Sequence, residues 1–277
     1  MKLKNKVALI TGAGGGFGRA IAVRLAREGA KIGINDVNPK GIQETLESIH
    51  NISGEGLALE GDVGDPNEVK EMFQKIKSKW GTIDILVNNA GMVFKPEWQD
   101  YIELHNVAVL KVVDEVMKTG KPQESMKITS SFKDEWWHIP INVMLNGTFY
   151  CTREALKVME EKRRGKIINM ASITGEHGEP NVPAYAAAKG GIIAFTKSVA
   201  KEVIGSGIIV NAVSPGYCNT PLLDNLDGGV RAFLTSQVPV GRLGTPEEIA
   251  SLVVYLATDE ANYIVGQVFT VDGGMKI

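Results

Sequence analysis

Tyr185 and Lys189 stand four residues apart in the stretch YAAAK, so on a helix their side chains share one face. A free tyrosine, with a pKa of about 10, is too weakly acidic to work as a base near neutrality. An ammonium within a few Å favours the phenolate and lowers that value. Such a pair can take a proton from an alcohol oxygen or give one to a ketone. Ser172, thirteen residues upstream, follows an apolar run of strand length and can hydrogen-bond the same oxygen as charge develops on it. The spacing Y-x-x-x-K also arises by chance, and its bland reading is a solvated pair on an amphipathic helix. The serine makes the set more specific.

These residues need a scaffold, and the sequence supplies one. Apolar, β-branched runs of strand length recur as VALIT (7–11), KIGIND (31–36), LALEGD (57–62), DILVNN (84–89), KIINMAS (166–172), IIVNAVS (208–214) and QVFTVDG (267–273). Continuous runs of this kind suit parallel strands covered on both faces. Between them lie helical patterns such as RAIAVRLAREG and PNEVKEMFQKIKSKWG, each closed by a glycine. The alternation predicts an α/β fold with a doubly wound, seven-stranded parallel sheet of Rossmann type. No linker or repeat divides it, so one domain over 1–277 is expected.

One region breaks the rhythm. An insertion over about 92–131 follows the fourth strand and contains HNVAVLKVVDEVMKTGKP, an extra amphipathic helix with Val109, Val112 and Val116 on one stripe and Gly120 and Pro122 as its stop. Segments this long in a compact fold tend to be functional. Two readings stand: surface decoration or subunit contact, and a cover over a substrate.

The bulk numbers exclude several functions. With 277 residues, 44% of them hydrophobic, and a net charge of −2, the chain offers no basic surface for nucleic acid or anionic membrane. Cys151 and Cys218 lie far apart, and His50, His105, His138 and His177 show no ligand spacing, so no metal is expected. The start, MKLKNKVALITGAG, reads as a first strand rather than a signal peptide, and no apolar stretch approaches a membrane span. A cytoplasmic protein is the expectation.

TGAGGGFGRAIA (11–22) follows the first strand and opens the first helix. Gly12 permits a tight turn, Gly16 and Gly18 leave room for a pyrophosphate, Phe17 lies between them, and the helix N-terminus offers unpaired N–H groups. Asp36 ends the second strand, eighteen residues after Gly18, where a carboxylate can accept both ribose hydroxyls and would repel a 2′-phosphate. Gly15 lacks a basic side chain to offset that repulsion, so NAD is favoured over NADP. With a nicotinamide present, the Tyr185 proton transfer becomes one half of an alcohol–ketone interconversion; the hydride step is the cofactor's own chemistry.

Together these motifs resemble those of the short-chain dehydrogenase/reductase family. The resemblance rests on TGAGGGFG (11–18), GDV (61–63), NNAG (88–91), Ser172, YAAAK (185–189), NAVSPG (211–216), GRLGTPEEIA (241–250) and VDGG (271–274), nearly the whole chain except the insertion. It implies Asp62 and Val63 beside the adenine, and Asn88, Asn89, Ala90 and Gly91 lining the cofactor. It also implies Pro215 and Gly216 against the nicotinamide, Thr220 on its carboxamide, and Lys189 on the ribose; Cys218, after the Pro-Gly turn, is read as lining the pocket mouth beside the cofactor. A homotetramer or homodimer acting on a small alcohol or ketone is likewise implied.

Most members of that family carry an asparagine that holds a proton-relay water, five residues before a phenylalanine and 28 before the catalytic serine. Counting from Phe149 and from Ser172 gives Met144 here, in the stretch INVMLNGTF, and Trp137 matches a tryptophan common seven residues earlier. Asn142 and Asn146 flank it but would face elsewhere. The relay is therefore expected to be weakened or rerouted, since a thioether is a poor acceptor while the backbone carbonyl remains. Trp136 and Trp137 are expected in the core. His177, in GEHGEPNVP, reads as a solvated loop residue or a substrate contact, Tyr217 as lining the pocket mouth, and PLLDNLDGGVRAFLTSQVPV (221–240) as a lid flexible at Gly228 and Gly229. The leading reading is an NAD-dependent secondary-alcohol dehydrogenase. Its alternatives are a non-catalytic NAD-binding subunit and an acyl-thioester ketoreductase.

Overall fold

Seven runs of β-branched and apolar residues form seven strands: β1 (Val7–Ile10), β2 (Lys31–Asp36), β3 (Gly56–Glu60), β4 (Ile85–Asn88), β5 (Gly165–Met170), β6 (Ile208–Pro215) and β7 (Val268–Val271). In the computed structural model, which describes residues 1–95, 97–223 and 227–276, they make one parallel sheet in the order β3-β2-β1-β4-β5-β6-β7. Every expected strand is present, trimmed or extended by one or two residues at some ends. Each parallel step needs a crossover. The helices α1 (Gly16–Arg27), α2 (Pro39–His50) and α3 (Pro66–Trp80) supply the first ones.

Two cores cover the sheet. On one face, Ile21 and Leu25 of α1, Ile42 and Ile49 of α2, and Val253 of α10 (Pro246–Ala257) close over β1, β2 and β4. On the other, Phe73 and Ile76 of α3 pack with Cys151 and Met159 of α6 (Gly147–Met159) and Val203 of α8 (Pro183–Val203). Full burial of each such side chain contributes roughly 1.5–3 kcal/mol. Local chemistry sets the ends. Asp65 caps α3 through the N–H groups of Asn67 and Glu68, Gly81 stops it in the left-handed region, and Thr245 with Glu248 forms a reciprocal cap on α10.

The insertion folds as α4 (Gln99–Thr119), six residues longer at its start than its apolar stripe indicated, and ends at Gly120 with φ +79° as expected. A separate aromatic cluster fastens it. Phe94, Trp98 and Tyr101 pack with Trp136 of α5 (Asp134–Ile141), the Tyr101 and Trp136 rings stacking at 4.7 Å. Trp137, expected in the core, is instead 40% exposed. Consecutive residues on a helix point about 100° apart, so only one tryptophan can face the cluster.

The hinge expected at Gly228 and Gly229 is revised. Gly228 and Gly229 open α9 (Gly228–Ser236), where Gly229 N–H donates to the Asp227 cap, so they sit in a helical turn and not in a hinge. Residues 224–226 of that stretch lie outside the described residues. Among the described residues, no helix is long and apolar enough to cross a membrane.

Candidate active site

The strand ends carry the site. Gly12 adopts φ +62° directly after β1, and a Cβ there would come within 2.8 Å of the Ala90 backbone. Only glycine fits that turn. Asn89, just past β4, holds the turn by donating from Nδ2 to the Thr11 and Gly12 carbonyls, while Thr11 Oγ1 accepts from the Asn89 and Ala90 N–H groups. The glycine loop and the β4 end are thereby one unit.

A cavity of about 1130 Å³ opens over this unit and runs across the sheet's carboxyl edge, the place where open α/β sheets bind ligands. Gly12, Gly16, Phe17, Asp36, Asp62, Val63, Asn89, Ala90 and Gly91 line one half. Ser172, Tyr185, Lys189, Pro215, Gly216, Cys218 and Thr220 line the other. Gly18 is the exception among the expected residues. It is buried, and a Cβ on it would lie 2.1 Å from the Gly12 carbonyl oxygen, so its smallness serves helix–turn contact and not ligand space. Asn88 also turns inward, donating to Thr152 Oγ1 and Asn169 Oδ1 beneath the sheet edge.

The groove fits a dinucleotide. A Cβ at Gly15 would meet nothing within 4 Å, and one at Gly16 nothing nearer than 3.6 Å, so the helix N-terminus lies open to a phosphate. Asp36 Oδ2 accepts from Gly14 N–H at 2.8 Å and Oδ1 from Asn38 N–H at 3.0 Å. These bonds orient the carboxylate and leave each oxygen a lone pair for a ribose hydroxyl.

Three elements bring the chemistry together. Ser172 follows β5, is buried, and accepts from Thr174 N–H at 3.2 Å. Its hydroxyl lies close enough to the Tyr185 oxygen to favour the phenolate. Lys189, one turn along α8, donates Nζ to the Met170 carbonyl at 2.6 Å and lies 5.6 Å from the Tyr185 ring centre. The short helix α7 (Thr174–His177) lies against α8 at Lys189, where a Cβ on Gly175 would stand 2.5 Å from the Lys189 backbone.

Burial lowers the Lys189 ammonium to about 8, leaving it largely charged at neutrality. The Tyr185 phenol does not follow the expectation of a lowered pKa. Burial pushes it up, and the Ser172 hydroxyl opposes that only in part. Without a cationic ring beside it, Tyr185 therefore stays protonated at neutral pH, the form that can give a proton. Burial also raises Cys218 to about 11, so it is a thiol and no nucleophile at neutral pH.

Met144 is the inward residue of its trio. It sits in a π-helical turn (Asn142–Asn146), fully buried against Ala171, Ala188 and Ile192, with Tyr185 packed on the same cluster. Asn142 instead donates to the Gly64 carbonyl at 3.1 Å and accepts from Asn146 at 3.0 Å. Neither asparagine lines the cavity. His177 is exposed, with Nδ1 against the Gly178 carbonyl, and stays outside the cavity too.

The insertion does cover the site. Val109, Val112, Val113 and Val116 of α4 face Val230 and Phe233 of α9 across the cavity, and the two helices touch where Leu110 approaches Gly229. Tyr101 Oη donates to the Asn181 carbonyl at 2.8 Å, latching α4 to the loop after Ser172. Sequence reading missed His105, Glu179 and Asn181, which also line this half. The signal for His105 was its place one turn after Tyr101 on the face that turns inward.

Fold and site together define a family, and comparison with known proteins agrees: the chain belongs to the short-chain dehydrogenases. The family model described as short chain dehydrogenase matches residues 6–128, and one described as Enoyl-(Acyl carrier protein) reductase matches 116–276. Among curated relatives, the 3-oxoacyl-[acyl-carrier-protein] reductase FabG of Thermotoga maritima is 35% identical over 277 residues, all of both chains. The proteins of the same name from Escherichia coli K12 and Vibrio harveyi are 37% and 38% identical over 275 residues, 99% of each chain. The chain is accordingly an oxidoreductase.

Proposed function

We propose that this chain reduces a ketone to a secondary alcohol with NADH, on a 3-oxoacyl thioester, and runs the reverse reaction with NAD. The observation that carries the reading is Tyr185, held at the cavity by Ser172 and overlooked by Lys189. A buried, protonated phenol can give its proton to a ketone oxygen and take one back from an alcohol in reverse. Bound nicotinamide supplies the hydride chemistry. Ser172 orients the substrate oxygen and stabilises charge on it, and Lys189 supplies a nearby positive charge. Asp36, with no basic side chain at Gly15, supports NAD over NADP.

The thioester is supported by the names of the relatives and by the valine wall of α4, which suits an acyl chain. Both favour it over a simple secondary alcohol. The intact Ser172, Tyr185 and Lys189 speak against a non-catalytic subunit, while Met144 leaves its backbone carbonyl as the remaining relay acceptor.

Absorbance at 340 nm, followed with S-acetoacetyl-N-acetylcysteamine and either NADH or NADPH, tests this. Turnover with NADH is expected, with Tyr185→Phe lowering kcat by about a thousandfold and leaving the NADH Kd unchanged. Met144→Asn is expected to move kcat by less than about tenfold, the scale of one hydrogen bond. A Tyr185→Phe variant retaining a tenth of parent activity overturns the assignment. A parent that binds NADH, stays silent, and becomes active only as Met144→Asn shows the methionine to be an off-switch.

A further inference from the structure

The substrate half of the cavity holds one carboxylate, Glu179, and nothing in the proton transfer uses it. It lies on the loop after Ser172, half-buried, and Tyr217 lines the same part of the cavity from the loop after β6, close enough for phenol and carboxyl to act on each other. Among the described residues no lysine or arginine pairs with it, and the charged group acting on it most is His177. Enclosure raises the Glu179 carboxyl and, with the neighbouring carboxylate, raises the Tyr217 phenol. A half-buried carboxyl with no lysine or arginine partner has unmet acceptor capacity. Asn181 and His105 line the same half, so among the described residues Glu179 is its one carboxylate but not its one acceptor.

We propose that Glu179, positioned by Tyr217, is a specificity-determining acceptor for an amide N–H on the thiol arm of an acyl thioester. The inference rests on reading this cavity as the thioester site. The geometry accounts for the choice. Glu179 and Tyr217 flank the loops that carry Ser172 and Pro215, so a ligand with its carbonyl at Tyr185 and its acyl tail along α4 has its thiol arm left to cross them. An amide suits a carboxyl of either protonation state, because its N–H donates to the carboxylate or to the acid's carbonyl oxygen. An anionic group there would meet a carboxylate instead.

The test separates recognition from turnover by using thioesters that have no 3-oxo group. S-butanoyl-N-acetylcysteamine carries one amide N–H in its arm, and S-pentyl butanethioate has an arm of equal length without it. Titration calorimetry on the NADH complex is expected to show the amide thioester binding about tenfold tighter, the worth of one hydrogen bond to a charged group. Glu179→Leu should remove that preference, Glu179→Gln reduce it, and Tyr217→Phe weaken it by loosening the carboxyl. NADH Kd should not move in any of them. Equal binding of the two thioesters by the parent, or a preference that persists in Glu179→Leu, overturns the inference. Because no hydride moves, failure of the ketone reduction would leave this result readable.

Discussion

The two halves of the cavity are built by opposite means. Around Gly12, Asn89 and Asp36 the walls are backbone and side chains tied to it: a left-handed glycine, one side-chain amide clamped on two carbonyls, and a carboxylate held by two N–H groups. Around Val112, Val230 and Phe233 the walls are side chains on helices that the sheet itself does not require. Backbone walls tolerate almost no substitution and fix what binds. Side-chain walls can be exchanged one residue at a time, which is how a shared reaction acquires a new substrate.

That contrast can be broken from the cofactor side first. Gly18→Ala places a methyl where the Gly12 carbonyl already sits, 2.1 Å away. Overpacking of this kind should lower unfolding stability by about 3 kcal/mol and weaken NADH binding, both read by thermal unfolding with and without cofactor. A variant as stable as the parent would show that the helix can slide away from the turn. Next in size, Asp36→Ala should erode the NADH-over-NADPH ratio of kcat/KM by about ten- to a hundredfold, the worth of two hydroxyl hydrogen bonds and one repulsion. An unchanged ratio would remove the NAD assignment. The smallest effect belongs to the substrate half. Tyr101→Phe deletes the hydrogen bond to Asn181 and should cost about 1 kcal/mol of stability, while raising substrate KM and leaving NADH Kd alone. A change in NADH affinity instead would mean the halves are mechanically joined.

The same contrast explains what could be read from sequence. The strands and Gly12, Gly16, Asp36, Ser172, Tyr185 and Lys189 were legible because local rules fix them: β-branched runs, positive φ, and a four-residue helical step. Gly18 was assigned the wrong task because a glycine needed for contact and one needed for ligand space look alike in a string. The Tyr185 phenol shows a related limit: spacing shows that an ammonium is near, but only coordinates show that the phenol is buried and thereby raised. Glu179 and Asn181 were invisible, since their entry into the cavity depends on how α4 docks through Tyr101, a contact between residues eighty positions apart.

Gly175 has a wider meaning for this architecture. With only a hydrogen atom between α7 and the Lys189 backbone, the spacing of Ser172 from Tyr185 and Lys189 is set by atomic contact. Packed interiors resist compression, so the spacer has no slack to give up. Strand end and helix are thus packed as one unit beneath hydroxyl, phenol and ammonium, while the valine-lined walls above them stand on separate helices.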